Sequence, residues 1–142
     1  MRPALIRSLL SQLGDCGCII VWNKTFEIWR LREIARDFPA YADRIKPLFE
    51  RVADLMVPFR RKHLYDPDMY GSYSLKAVLP ALIHDLSYDD LGIQEGGTAS
   101  MTYESLCWNE DPESVRLKRE NLLEYCRMDT LSMVRLLEVL VA

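Results

Sequence analysis

Cys18-Ile19-Ile20-Val21-Trp22, continuing into Asn23-Lys24-Thr25-Phe26-Glu27, is the stretch on which the fold class turns. Three β-branched residues in an apolar run predict a strand, and the absence of polar alternation predicts burial on both faces, as in a parallel sheet. Asn23 and Thr25 offer N-caps for a helix that shows Phe26, Trp29, Leu31, Ile34 and Ala35 and stops at Phe38-Pro39. In an open parallel sheet, ligands bind beyond the carboxyl ends of the strands. Glu27 falls on the first turn of the helix that begins there, so position and charge both suit a metal site. A helix N-terminus also favours acidic side chains through its dipole, which gives the same residue a purely structural reading.

Upstream, Leu5, Ile6, Leu9, Leu10 and Leu13 recur at helical spacing and Gly14 ends them, predicting an amphipathic helix. Downstream, a short helix is expected around Tyr41 to Phe49. Arg51-Val52-Ala53 then reads as a second brief strand, ending at Asp54, which is placed to cap a turn or helix through Phe59. Residues 65–72, Tyr-Asp-Pro-Asp-Met-Tyr-Gly-Ser, are dense in turn formers and read as a loop. Ser74 caps a helix carrying Leu75, Val78 and Leu79, and two more helices follow, one after Gly96-Gly97 and a long one from about Pro112 to Leu140. The class is therefore α/β and helix-rich, a single domain over residues 1–142. Two strands do not make a stable sheet. Ile19-Ile20-Val21 needs neighbours, supplied either by self-association or by a segment preceding Met1. Homodimerisation through the exposed edge of the 18–22 strand is the expected remedy for the chain alone.

A length of 142 residues suits one domain, and 49% hydrophobic with 27% charged residues is too apolar for a disordered segment. The longest apolar runs fall far short of the ~20 residues needed to cross a bilayer, so no membrane partner is expected. The first residues lack a secretory cleavage pattern, which makes a cytoplasmic location the expectation. Cys16, Cys18, Cys107 and Cys126 form no C-x-x-C pair and read as reduced thiols serving as small hydrophobes. The formal charge is −3, so any nucleic-acid contact must come from local patches. Residues 1–84 hold 13 basic and 9 acidic residues, with Arg60-Arg61-Lys62 as the basic run; residues 85–113 hold eight acidic residues and no lysine or arginine. That basic run is either a solvated helix end or a phosphate contact.

The closing helix places a carboxylate on an apolar seam. Leu122, Cys126, Asp129, Met133, Leu136 and Leu140 succeed one another at spacings of 4, 3, 4, 3 and 4. An ionised aspartate there must be paired, hydrogen-bonded or metal-bound, because leaving it bare costs several kcal/mol. Tyr125, four residues earlier, projects its hydroxyl near the same spot.

These segments carry a resemblance. An apolar strand followed by N-x-x-F-E (Asn23 to Glu27), and a closing helix with Y-x-x-x-D (Tyr125 to Asp129), resemble the second and third motifs of the DEDD-type 3′-5′ exonucleases, the proofreading branch of the ribonuclease-H-like fold. The tyrosine matches the DEDDy subgroup. Residues 71–80 (GSYSLKAVLP), 96–100 (GGTAS) and 123–130 (LEYCRMDT) further resemble an uncharacterised bacterial domain family found at the C-terminal end of longer proteins.

The resemblance implies phosphodiester hydrolysis of DNA or RNA assisted by two Mg2+ or Mn2+ ions about 4 Å apart. It makes Asp129 a direct metal ligand and Glu27 the second-motif carboxylate, with Tyr125 orienting the attacking water. Asn23, Phe26 and Lys76 become candidate substrate contacts. Two departures stand out. Glu27 occupies a position usually held by aspartate, and the first motif, D-x-E on an opening strand, has no counterpart. With two of four carboxylates, the chain is expected to be the C-terminal part of a partial ribonuclease-H-like domain whose opening strands are missing, inactive on its own. The alternative is a catalytically inactive ribonuclease-H-like interaction or nucleic-acid-binding module. In the nuclease reading, Glu27 and Asp129 converge at the carboxyl end of the 18–22 strand.

Overall fold

The computed structural model describes residues 2–108 and 111–142. It is helix-rich with one small parallel sheet, a mixed α/β class, and divides into two compact units, residues 1–61 and 62–142.

The first unit begins with α1 (Arg2–Leu13), ended by Gly14 at φ +53°. β1 (Ile19–Val21) leads into α2 (Lys24–Asp37); α3 (Ala42–Ile45) and α4 (Leu48–Arg51) follow, then β2 (Val52–Asp54) and α5 (Val57–Arg60). β1 and β2 are parallel, with Ile19 opposite Val52 and Val21 opposite Asp54. The core gathers Ile6 and Leu10 of α1 with Ile45 and Leu48, and Leu31, Ile34 and Ala35 of α2 pack against it. The C-terminus of α1 is closed from a distance. The Arg51 guanidinium donates to the carbonyls of Leu13 (2.7 Å), Gly14 (2.7 Å), Cys16 (2.5 Å) and Gly17 (2.8 Å). A helix end leaves carbonyls without partners, and the arginine fork satisfies that of Leu13 together with three in the turn that follows.

Two expectations are corrected here. The strand is shorter than residues 18–22 and half-buried, since β1 pairs with β2 alone among the described residues. Arg51 ends a helix rather than opening a strand, because its side chain serves the α1 terminus while the chain becomes extended only at Val52.

The second unit contains α6 (Leu75–Leu82), α7 (Gly96–Ser105) and α8 (Pro112–Val141), the last capped by Asp111, whose carboxylate accepts from the amides of Glu113 and Ser114. Ser74 caps α6 as expected, accepting from Ala77 N. Val78, Leu79 and Leu136 are fully buried. Gly92 passes so close to α8 that a Cβ there would stand 2.8 Å from the Asn121 side chain. The buried face of α8 is Tyr125, Ser132 and Leu136, so the seam lies beside the one read from the sequence, and Cys126 points to solvent. All four cysteines are exposed free thiols, which corrects their reading as small core hydrophobes. Among the described residues no helix is long and apolar enough to cross a membrane.

Candidate functional site

The carboxyl ends of β1 and β2 form the first candidate region. Asn23 follows β1 in the left-handed conformation, φ +77°, and its Oδ1 accepts from Phe26 N at 3.3 Å to cap α2. Asp54 Oδ1 accepts from the amides of Asn23 and Met56, both at 3.1 Å, so this aspartate ties the two strand ends together and also caps the turn after β2. Lys24 Nζ donates to Val52 O at 2.7 Å. Asn23 is thus engaged in capping, which gives it a structural task at the position read as a substrate contact.

Phe26 is exposed, with the Arg30 guanidinium 5.4 Å from its ring centre. Glu27 is half-buried, and its carboxylate has no hydrogen bond among the described residues. Burial raises its pKa above the ordinary glutamate value, and the charge of Arg30 partly offsets this.

The second region lies in the other unit, where α8 presents Tyr125, Asp129 and Ser132 at spacings of 4 and 3. Tyr88 donates its hydroxyl proton to Asp129 Oδ1 at 2.7 Å and stands 3.3 Å from Ser132 Oγ, which is wholly buried. This answers what satisfies the seam carboxylate: a buried tyrosine. Burial first, and the Asp129 carboxylate after it, hold the Tyr88 hydroxyl well above the usual tyrosine range, while the Ser132 hydrogen bond pulls the other way. Tyr88 is therefore a fixed proton donor.

The Tyr125 ring lies 6.0 Å from that of Tyr88. Its hydroxyl sits beside the first residue of α7, where a Cβ on Gly96 would be 3.6 Å away. No hydrogen-bond partner for that hydroxyl exists among the described residues. Burial, then the negative charge of Asp129, Cys126 and Glu95, raises its pKa.

Lys76 of α6 completes the cluster, its ammonium 5.5 Å from the Tyr88 ring centre and 5.6 Å from that of Tyr125, donating to Gln94 O. This lysine, a candidate substrate contact in the sequence, is half-buried over two aromatic faces, where the ring quadrupoles attract the cation. Sequence reasoning did not single out Tyr88 or Ser132. Ser132 shares the 125–129 seam at the next helical step and was legible there; Tyr88 lies between turn residues, with no periodic signal.

Tyr125, Asp129 and Lys76 are thus brought together in the second unit, while Asn23, Phe26 and Glu27 belong to the first. Among the described residues no group of three or more His, Cys, Asp or Glu side chains is gathered to hold a metal ion. The donor set present does not fit a magnesium or manganese pair, which calls for several carboxylates at once.

No curated protein and no solved structure matches the chain. A family model described as a domain of unknown function, DUF2779, matches residues 1–74, which is the strand-and-helix unit together with the approach to α6, and the chain belongs to that family.

Proposed function

We propose that the chain supplies the second and third motifs of a DEDDy-like, ribonuclease-H-like exonuclease domain acting on DNA or RNA, and that it needs carboxylates from outside itself to hydrolyse phosphodiesters. The observation that carries this reading is the Tyr88–Asp129–Tyr125 arrangement. Asp129 is oriented by a hydroxyl that keeps its proton, and Tyr125, one helical turn away, has a ring anchored by packing and a hydroxyl with no hydrogen-bond partner among the described residues. Such a hydroxyl is available to hold a water molecule. Tyr88 is a positioning residue, fixing one Asp129 oxygen and leaving the other free. The half-buried Glu27, without a hydrogen bond, supports the same reading from the first unit. Any Mg2+ or Mn2+ would be held only with ligands contributed from elsewhere.

One measurement tests this. The purified 142-residue chain, given Mg2+ or Mn2+, is expected to degrade neither single-stranded DNA nor RNA; robust cleavage abolished by Asp129→Asn would show that this chain completes its own site and would overturn the need for outside carboxylates.

A further inference from the structure

The first unit holds a groove of about 410 Å3 lined by α2, the end of β2 and α5, with Lys24, Trp29, Arg32, Asp54 and Arg60 among its walls. We propose that this groove binds single-stranded nucleic acid, Lys24, Arg32 and Arg60 contacting phosphates and Trp29 stacking on a base. The proposal does not rest on the nuclease reading, since docking needs neither Asp129 nor a metal ion.

The first reason is charge. Among the described residues none of the three cations is in an ion pair. Lys24 donates to a backbone carbonyl, Arg32 lies 5.7 Å from the Phe49 ring centre, and Arg60 is exposed. Elsewhere on α2 the same residue types do pair, Arg30 with Glu33 at 3.0 Å and Arg36 with Asp37 at 2.8 Å. The acidic residue of the groove, Asp54, already accepts two backbone amides through Oδ1. Like charges collected around one concavity repel, and an anionic ligand relieves that repulsion. Residues 1–61 carry 11 lysines and arginines against 7 acidic residues, so the wider field has the same sign.

The second reason is the aromatic wall. Trp29 is 58% exposed and Phe26, three residues earlier on the same helix, 55%. Residues at that spacing are neighbours on a helix surface, which puts a second exposed ring on the helix that carries Trp29. Cations beside exposed aromatic faces are the means by which proteins hold single strands: phosphates meet the charge and unstacked bases meet the rings. A duplex hides its base faces, and an acidic peptide offers Trp29 no π surface, which is why the single strand is the occupant chosen.

The test uses the 142-residue chain, fluorescently labelled 12-mers of deoxythymidine and of uridine, and anisotropy as the readout. Both oligonucleotides are expected to bind at low salt with quenching of tryptophan emission. The logarithm of the association constant should fall against that of salt with a slope of about −2, as three phosphates on a single strand require. Arg60→Glu is expected to weaken binding at least about tenfold, and Trp29→Ala between about 5- and 100-fold with rescue by Trp29→Phe. Arg135→Glu on α8 should stay within about twofold. Should Arg60→Glu disturb the fold by circular dichroism, Arg32→Gln replaces it, with a loss of several-fold expected. Absence of binding overturns the proposal, as does a duplex or poly-glutamate competing as well as the single strand, or binding that ignores both Trp29→Ala and the groove cations. Binding that weakens with both Trp29→Ala and Arg60→Glu supports it, with or without nuclease activity.

Discussion

Residues 1–61 carry 11 basic and 7 acidic residues, whereas residues 62–142 carry 7 and 14, and the two units put these charges to different uses. In the first, Arg30, Arg36 and Lys46 pair with nearby carboxylates, Arg51 holds four backbone carbonyls, and Lys24, Arg32 and Arg60 line a groove with no ion pair among the described residues. In the second, three of the arginines of α8 are taken up along the helix itself: Arg116 with Glu113 and Glu120, Arg127 with Glu124, Arg135 with Glu138. Its polar cluster joins Asp129 to the hydroxyls of Tyr88 and Ser132, with the Lys76 ammonium over the tyrosine rings. The lesson is that net charge misleads about ligands. A chain of −3 presents an open basic surface because its excess acid belongs to the other unit, where part of it neutralises helix arginines.

The contrast can be broken most forcefully in the apolar core of the second unit. Leu136 has no exposed surface, so Leu136→Ala should lower the unfolding free energy by about 3 kcal/mol in urea titration. Its neighbour Arg135 pairs with Glu138 in the open, and Arg135→Ala should cost no more than about 0.5 kcal/mol. Equal costs would show that the α8 ion pairs carry the unit after all. In the first unit the ranking reverses. Arg51→Lys keeps the charge but cannot reach four carbonyls, and should cost about 2 kcal/mol, with faster amide exchange at the end of α1. Tyr88→Phe removes a buried hydrogen bond to a carboxylate and should cost about 1.5 kcal/mol.

What the sequence made legible follows from the range of the signal. Ser74 and Gly14 act on the neighbouring turn of chain and were read as a cap and a stop, whereas the Asp111 cap of α8 was passed over in favour of Pro112. The 18–27 stretch announced a strand and a capped helix for the same reason, and a second strand was read at Arg51-Val52-Ala53, one residue early, without its pairing to the first. The long-range pieces were not legible. Arg51 works 34 to 38 residues away from its carbonyls, and Tyr88 reaches Asp129 across 41 residues, distances at which periodicity carries nothing. The packing of Lys76 was not legible either, because its cage is formed by two tyrosines 12 and 49 positions on. The groove cations could be counted from sequence but not known to be unpaired, since pairing depends on which face of α2 each occupies.

The smallest expected effect separates the two readings of Glu27. Burial raises its pKa in the folded chain above the unfolded value, so between those two values the folded state binds more protons than the unfolded one. Stability contributed by this group therefore falls as pH rises through that window, starting near the ordinary glutamate value, the reverse of a salt-bridged carboxylate. Glu27→Gln removes the ionisation while keeping size and polarity. Below about pH 4, where wild-type Glu27 is mostly protonated, urea midpoints of the two proteins should coincide. At pH 7 the variant should be slightly the more stable, by a small margin because the side chain is only half-buried and Arg30 offsets part of the penalty. A structural acid at a helix N-terminus gives the opposite result, a variant less stable at pH 7 through loss of the dipole interaction. A gain at neutral pH means the chain keeps a carboxylate at a cost to its own stability beside the ends of β1 and β2, and such costs concentrate where a group is held for chemistry rather than for the fold.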